Sequence, residues 1–95
     1  MLANIEPKTI KHGGLSIRVR FFAQAREVTG IDRLTLDVKE AQSVGQVILE
    51  LNRRYPKLLP VMQRSAWAVN RQYVTQSHLV CPGDELAIIP PVAGG

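Results

Sequence analysis

At 95 residues the chain has the length for one small domain, and a domain of this size buries only a modest core. Hydrophobic residues make up 45% and charged residues 21%, a globular balance that argues against overall disorder. The net charge is +4, yet Arg18, Arg20, Arg26, Arg33, Arg53, Arg54, Arg64 and Arg71 are scattered and lack aromatic platforms, so a nucleic-acid partner is not expected.

Residues 1–14 include Pro7, Gly13 and Gly14 without a sustained period, and they are expected to form a flexible leader. From Leu15 to Phe22, Leu15, Ile17, Val19 and Phe21 alternate with Ser16, Arg18, Arg20 and Phe22, the pattern of a half-buried strand. Phe22 falls on the polar side of that alternation and is anomalous there. Ala23 to Thr29 suits a short helix closed by Gly30. Leu34, Leu36 and Val38 alternate again, predicting a second strand over residues 33–38, antiparallel to the first.

Ser43 with Gln46 fits a capping box. Val44, Val47, Ile48, Leu51 and Tyr55 then recur at helical spacing until Pro56 stops the helix. Leu58 to Met62 reads as a short apolar connector containing Pro60. Ala66 to Asn70 and Tyr73 to Thr75 predict a strand pair around a tight turn at Asn70-Arg71. Pro82-Gly83-Asp84 is a turn, Leu86 to Ile89 the last strand, and Pro90-Pro91 ends it because proline cannot donate to a ladder. One main helix and a mixed sheet pack most economically with the helix across one sheet face. Pairing the last strand beside the first makes the two parallel. The expected fold is therefore α+β, a β-grasp with a mixed sheet and one main helix packed across it, with a domain over 15–91 and an extended tail over 92–95.

No apolar run approaches the ~18 residues of a membrane span. No cleavable apolar stretch opens the chain, so no membrane association is expected and the expected compartment is the cytoplasm. A single cysteine, Cys81, excludes an internal disulfide framework and a multi-thiolate zinc site within one chain. His78 lies near Cys81, but no third, orienting group accompanies the pair. Asp84 and Glu85 are adjacent, so at a strand entry they point to opposite sides and share no proton. No His/Asp/Glu cluster has metal spacing and no Gly-rich phosphate loop follows a strand, so neither a metal nor a bound cofactor is expected.

The remaining feature is the end of the sequence, Pro90-Pro91-Val92-Ala93-Gly94-Gly95. The prolines stiffen the exit from the sheet. The final glycines lack a Cβ and allow close backbone approach. Val92, Ala93 and Gly94 can thread a narrow channel and present the Gly95 carboxylate to another protein's active site. A carboxylate reacts only after activation, typically by adenylation, so the chain is expected to be the carried group and not a catalyst by itself.

The segments Val19-Arg20-Phe21-Phe22-Ala23-Gln24-Ala25-Arg26-Glu27-Val28-Thr29-Gly30, Val69-Asn70-Arg71-Gln72 and Gly83-Asp84-Glu85-Leu86-Ala87-Ile88-Ile89 with the Pro90–Gly95 tail resemble the small subunit of molybdopterin synthase, the MoaD family. The related thiamine sulfur carrier, ThiS, shares the Val-Asn hairpin and the Ala-Gly-Gly end. Ala93 stands where many members of the resembled family carry threonine.

The resemblance implies a ubiquitin-like β-grasp. It implies that a ubiquitin-activating-type enzyme (MoeB-like) uses ATP to adenylate Gly95, and that the adenylate becomes a thiocarboxylate. The tail then enters a large subunit (MoaE-like) and donates sulfur to a cyclic pyranopterin monophosphate, within a heterotetramer. A thiamine-type carrier, or a modifier conjugated to proteins through Gly95, are the alternatives. On this reading Phe22, Tyr73 and Ile89, with Pro90 and Pro91, form a partner surface beside the tail. The competing placement tucks Phe22 under the short helix.

Overall fold

The computed structural model describes residues 15–91. The chain opens with β1 (Ser16–Phe21), α1 (Ala23–Thr29) and β2 (Arg33–Asp37). β1 and β2 are antiparallel, with Ile17 opposite Leu36 and Val19 opposite Leu34. Gly30 ends α1 in the left-handed conformation (φ 79°), where a side chain is strained, and its amide donates to the Arg26 carbonyl at 2.8 Å.

Next come β3 (Gln42–Ser43) and the main helix α2 (Val44–Arg54). The expected capping box is present: the Gln46 amide donates to Ser43 Oγ at 3.1 Å, and the Ser43 amide donates to Gln46 Oε1 at 2.9 Å. Two further amides at this end are satisfied by the loop before β6, Val44 by the His78 carbonyl and Gly45 by the Gln76 carbonyl, both at 2.9 Å. Val44, Val47, Ile48 and Leu51 form the buried stripe of α2.

The stretch expected as an apolar connector is helical. A 3₁₀ turn over Pro56–Leu58 runs into α3 (Leu59–Met62), burying Leu58, Val61 and Met62. Pro60 is tolerated because it lies in the first turn, where an amide has no intrahelical partner. β4 (Ala66–Val69), β5 (Gln72–Val74), β6 (Leu79–Val80) and β7 (Glu85–Ile89) complete the described chain. The β3–β6 pair was not anticipated: two residues per strand carry no readable period.

The main sheet has the order β2-β1-β7-β4-β5. β7 lies parallel to β1, with Val19 opposite Leu86 and Phe21 opposite Ile88, and antiparallel to β4. Parallel neighbours need a long crossover, and α2 lies within it. This is the β-grasp expected from the sequence. Ile17, Val19, Phe21, Leu86 and Ile88 point from the sheet into one core with the α2 stripe, Leu58 and Trp67. Tyr55, at the end of α2, meets Phe21 edge-on with centroids 6.4 Å apart. Among the described residues, no helix is long and apolar enough to cross a membrane.

Candidate functional site

Alternation divides the sheet into two faces. Because Ile17, Val19, Phe21, Leu86 and Ile88 point to the core, Arg18, Arg20, Ala87 and Ile89 lie on the opposite, open face. Opposed residues in a ladder share a face, so Ala87 brings in Ala68, Ala68 brings in Tyr73, and Ile89 brings in Ala66. Ala68 is buried but stands outside the core cluster, consistent with cover from its neighbours on the open face. The result is a floor of small residues, with Tyr73 at one edge (75% exposed) and Arg20 and Phe22 toward the other.

Phe22 keeps the extended conformation of β1 (φ −114°, ψ 158°) and so continues its alternation onto the open face. The Arg20 guanidinium lies 4.9 Å from the centroid of its ring. Arg20 belongs to the open face, so Phe22 does not tuck under α1. The Phe22 amide donates to the Ile88 carbonyl at 3.3 Å, which fixes this corner to the strand that leads out of the fold. Phe22 and Ile89 are half-buried, Pro90 is buried and Pro91 is exposed. The structure thus places Phe22, Ile89 and Tyr73 on one face, with Tyr73 on the edge strand two positions from β7. The remaining tail candidates, Val92, Ala93, Gly94 and Gly95, lie outside the described residues, as does the leader over 1–14.

Immediately after Phe22, Ala23 has φ 47°, a left-handed conformation seldom adopted by a residue with a Cβ. It is the corner where β1 turns into α1. The amide of Ala25 donates back across it to the Phe22 carbonyl at 3.0 Å. Sequence reading does not find this corner, because alanine is the strongest helix former and carries no sign of it.

The second feature the sequence leaves implicit is the support of the β4–β5 hairpin. Asn70 and Arg71 both have positive φ (50° and 72°), the turn that matches strand twist in a two-residue hairpin. The Asn70 side chain donates to Asp84 Oδ1 at 3.0 Å and accepts from the Glu85 amide at 3.0 Å. Asp84 Oδ2 accepts from the Cys81 amide at 2.8 Å. The Asn70 hydrogen bond and then the Cys81 amide hold the Asp84 carboxyl below its ordinary range. Asp84 is therefore a clamp that ties the hairpin to the start of β7. Cys81 is exposed, and no hydrogen bond joins it to His78 among the described residues. Glu50 on α2, held down to about 2 by hydrogen bonds from Arg53 and Arg54, belongs to the opposite, helical layer.

Comparison with known proteins agrees with the fold. The model of the ThiS family matches residues 19–95. The molybdopterin synthase sulfur carrier subunit of Arabidopsis thaliana is 41% identical over 81 residues, covering 85% of this chain and 84% of that protein. The human protein of the same name is 35% identical over 82 residues, covering 83% of this chain and 93% of its own length. In structure, small archaeal modifier protein 1 of Haloferax volcanii matches with a TM-score of 0.73 at 26% identity, covering 83% of this chain and all (100%) of that one. The chain belongs to the ThiS family, and its likeness to molybdopterin synthase sulfur carrier subunits extends over most of its length.

Proposed function

We propose that the chain is the sulfur-carrier small subunit of a molybdopterin synthase, acting through the carboxylate of Gly95. The observation that carries this reading is the likeness, over most of both chains, to proteins named for that role. The geometry supports it. β7 runs directly into a buried Pro90 and an exposed Pro91, so the chain leaves the sheet stiffly and beside the half-buried Phe22 and Ile89. Beyond Pro91, four residues reach at most about 14 Å, enough to carry the last carboxylate into a partner's interior.

The chemistry takes place on a partner. A carboxylate oxygen of Gly95 bonds to the α-phosphorus of ATP on a ubiquitin-activating-type enzyme (MoeB-like), and pyrophosphate leaves. A sulfur donor at the hydrosulfide level bonds to the acyl carbon and AMP leaves, giving the thiocarboxylate. Inside a MoaE-like large subunit the thiocarboxylate sulfur bonds to a side-chain carbon of a cyclic pyranopterin monophosphate and displaces an oxygen from it. Water then cleaves the acyl–sulfur bond, which frees the Gly95 carboxylate, and a second thiocarboxylated tail supplies the other sulfur of the dithiolene. The folded body of this chain holds and presents the tail. ATP is used by the activating enzyme and no cofactor resides on this chain.

The likeness to an archaeal modifier protein favours one alternative, attachment to protein amines through the same activated glycine. A thiamine-type carrier shares the chemistry and differs in partner. Intact mass after incubation with ATP, an activating enzyme and a sulfur source separates them. Replacement of one oxygen by sulfur supports a carrier. Isopeptide adducts without that change favour conjugation. Sulfur transfer in the presence of a molybdopterin synthase large subunit separates this role from the thiamine one. An alanine added after Gly95 is expected to abolish transfer, and full activity of that variant, untrimmed, refutes the reading.

A further inference from the structure

The open sheet face carries a charge arrangement that tail presentation does not use. Arg20 on β1 and Arg33 on β2 are direct partners in the antiparallel register. Opposed side chains share a face with Cβ atoms about 4.5–5.5 Å apart, and like charges at that position repel. Leu34 and Leu36 turn toward the core, so Arg33 shares the open face with Arg20. Among the described residues, the ion pairs are those of Glu50 with Arg53 and Arg54 on α2, and neither Arg20 nor Arg33 has one. The Arg20 guanidinium lies over the Phe22 ring, and its Nε is enclosed without a hydrogen-bond acceptor. Arg18 differs: it donates to the Gly83 carbonyl at 3.4 Å and stands opposite Glu85 across the parallel ladder.

Two uncompensated cations thus stand together at the corner where Phe22 is bonded to the exit strand. Repulsion between them is a cost to the free molecule that an incoming anion relieves. We propose that Arg20 and Arg33 dock an acidic segment, an Asp or Glu carboxylate pair, on the protein that receives the tail, while the apolar surface of that protein covers Phe22 and Ile89. This rests on the reading of the chain as a subunit that presents its tail to a large subunit. A protein carboxylate fits better than a nucleic acid. Two guanidiniums beside a ring already covered by one of them give no track for a phosphate backbone and no free stacking platform. Charges at such a rim act chiefly on the association rate and its salt dependence.

The test uses the full chain and the molybdopterin synthase large subunit of the same organism. Association rates are measured at low and high salt for the wild type, Arg20→Gln, Arg33→Glu and, on the helical layer, Arg53→Glu, with thermal unfolding as the check on folding. The expected result is a fall of about tenfold in the low-salt association rate for Arg33→Glu. Arg20→Gln shows a smaller fall, both variants show a flatter salt dependence, and Arg53→Glu behaves as the wild type. Unchanged rates and salt slope in both sheet variants overturn the dock. Equal loss in Arg53→Glu also overturns it, since the effect is then net charge. Absence of any wild-type binding overturns the dock together with the subunit reading. Sulfur transfer undiminished by an alanine after Gly95, with the Arg20 and Arg33 effects intact, overturns the tail reading alone.

Discussion

Ala23 and the Asn70–Asp84 pair are the residues on which the local geometry turns. Ala23 holds a left-handed conformation that costs an L-residue roughly 1–2 kcal/mol. Glycine adopts it freely but loses more backbone entropy on folding, so Ala23→Gly is expected to raise stability by up to about 1 kcal/mol. Ala23→Val is expected to lower it, and denaturant midpoints of the two variants check both signs. Asn70→Ala removes two hydrogen bonds and the side chain best suited to positive φ, for a loss of about 2 kcal/mol. Asp84 adds a pH dependence whose sign follows from its lowered pKa. Its contribution is complete above the unfolded carboxyl value of about 3.9 and is lost as the pH falls through the lower folded value. The stability gap between the wild type and Asp84→Asn should therefore be constant near neutrality and close on acidification below about pH 4, as read from unfolding curves across pH.

At the level of elements, α2 is the piece most tightly specified. Its N-terminus is closed three times over, by the Ser43–Gln46 box and by carbonyls of His78 and Gln76. Ser43→Ala is expected to cost about 1 kcal/mol, measured by chemical denaturation. Because the same end is anchored to the loop before β6, the amides of Val44 and Gly45 should stay slow to exchange in that variant. Faster exchange there would show that the cap, and not the loop contact, holds the helix end. The apolar spacing of Leu58, Val61 and Met62 was already helical, and only Pro60 disguised it. A proline in a first turn removes no hydrogen bond, so the disguise has no structural cost.

Seen whole, the molecule has two unlike sides. The helical layer covers the core, and the charged side chains of α2 pair with one another, Glu50 with Arg53 and Arg54. The open sheet face has a floor of Ala66, Ala68 and Ala87, with Phe22, Ile89 and Tyr73 around it. Small side chains let another surface approach the sheet closely, and the aromatics at its edges provide the area that binds. Tyr73 is 75% exposed, so Tyr73→Ala should shift stability by no more than about 0.5 kcal/mol. The same substitution should weaken binding to the large subunit by about tenfold if the face is an interface. Titration calorimetry beside thermal unfolding separates these two effects.

The sequence by itself determined the alternating strands, the capped helix, the hairpin at Asn70-Arg71 and the stop at Pro90-Pro91. Each is set by the period of neighbouring side chains or by a residue whose backbone freedom is restricted. It also marked Phe22 as out of step with its strand, because a period of two assigns every residue a side. Only the tertiary structure decided the full strand order and the register of each pair, and with that everything carried across the ladder. The clasp of Asn70 on Asp84, the alanine floor and the opposition of Arg20 and Arg33 join residues far apart in the chain. Such pairings depend on register, which is fixed by burying one whole face against α2 and not by any local pattern. The left-handed turn at Ala23 belongs with them: it lies between backbone hydrogen bonds that tie Phe22 to Ile88 and Ala25, and it runs against the preference of the residue itself.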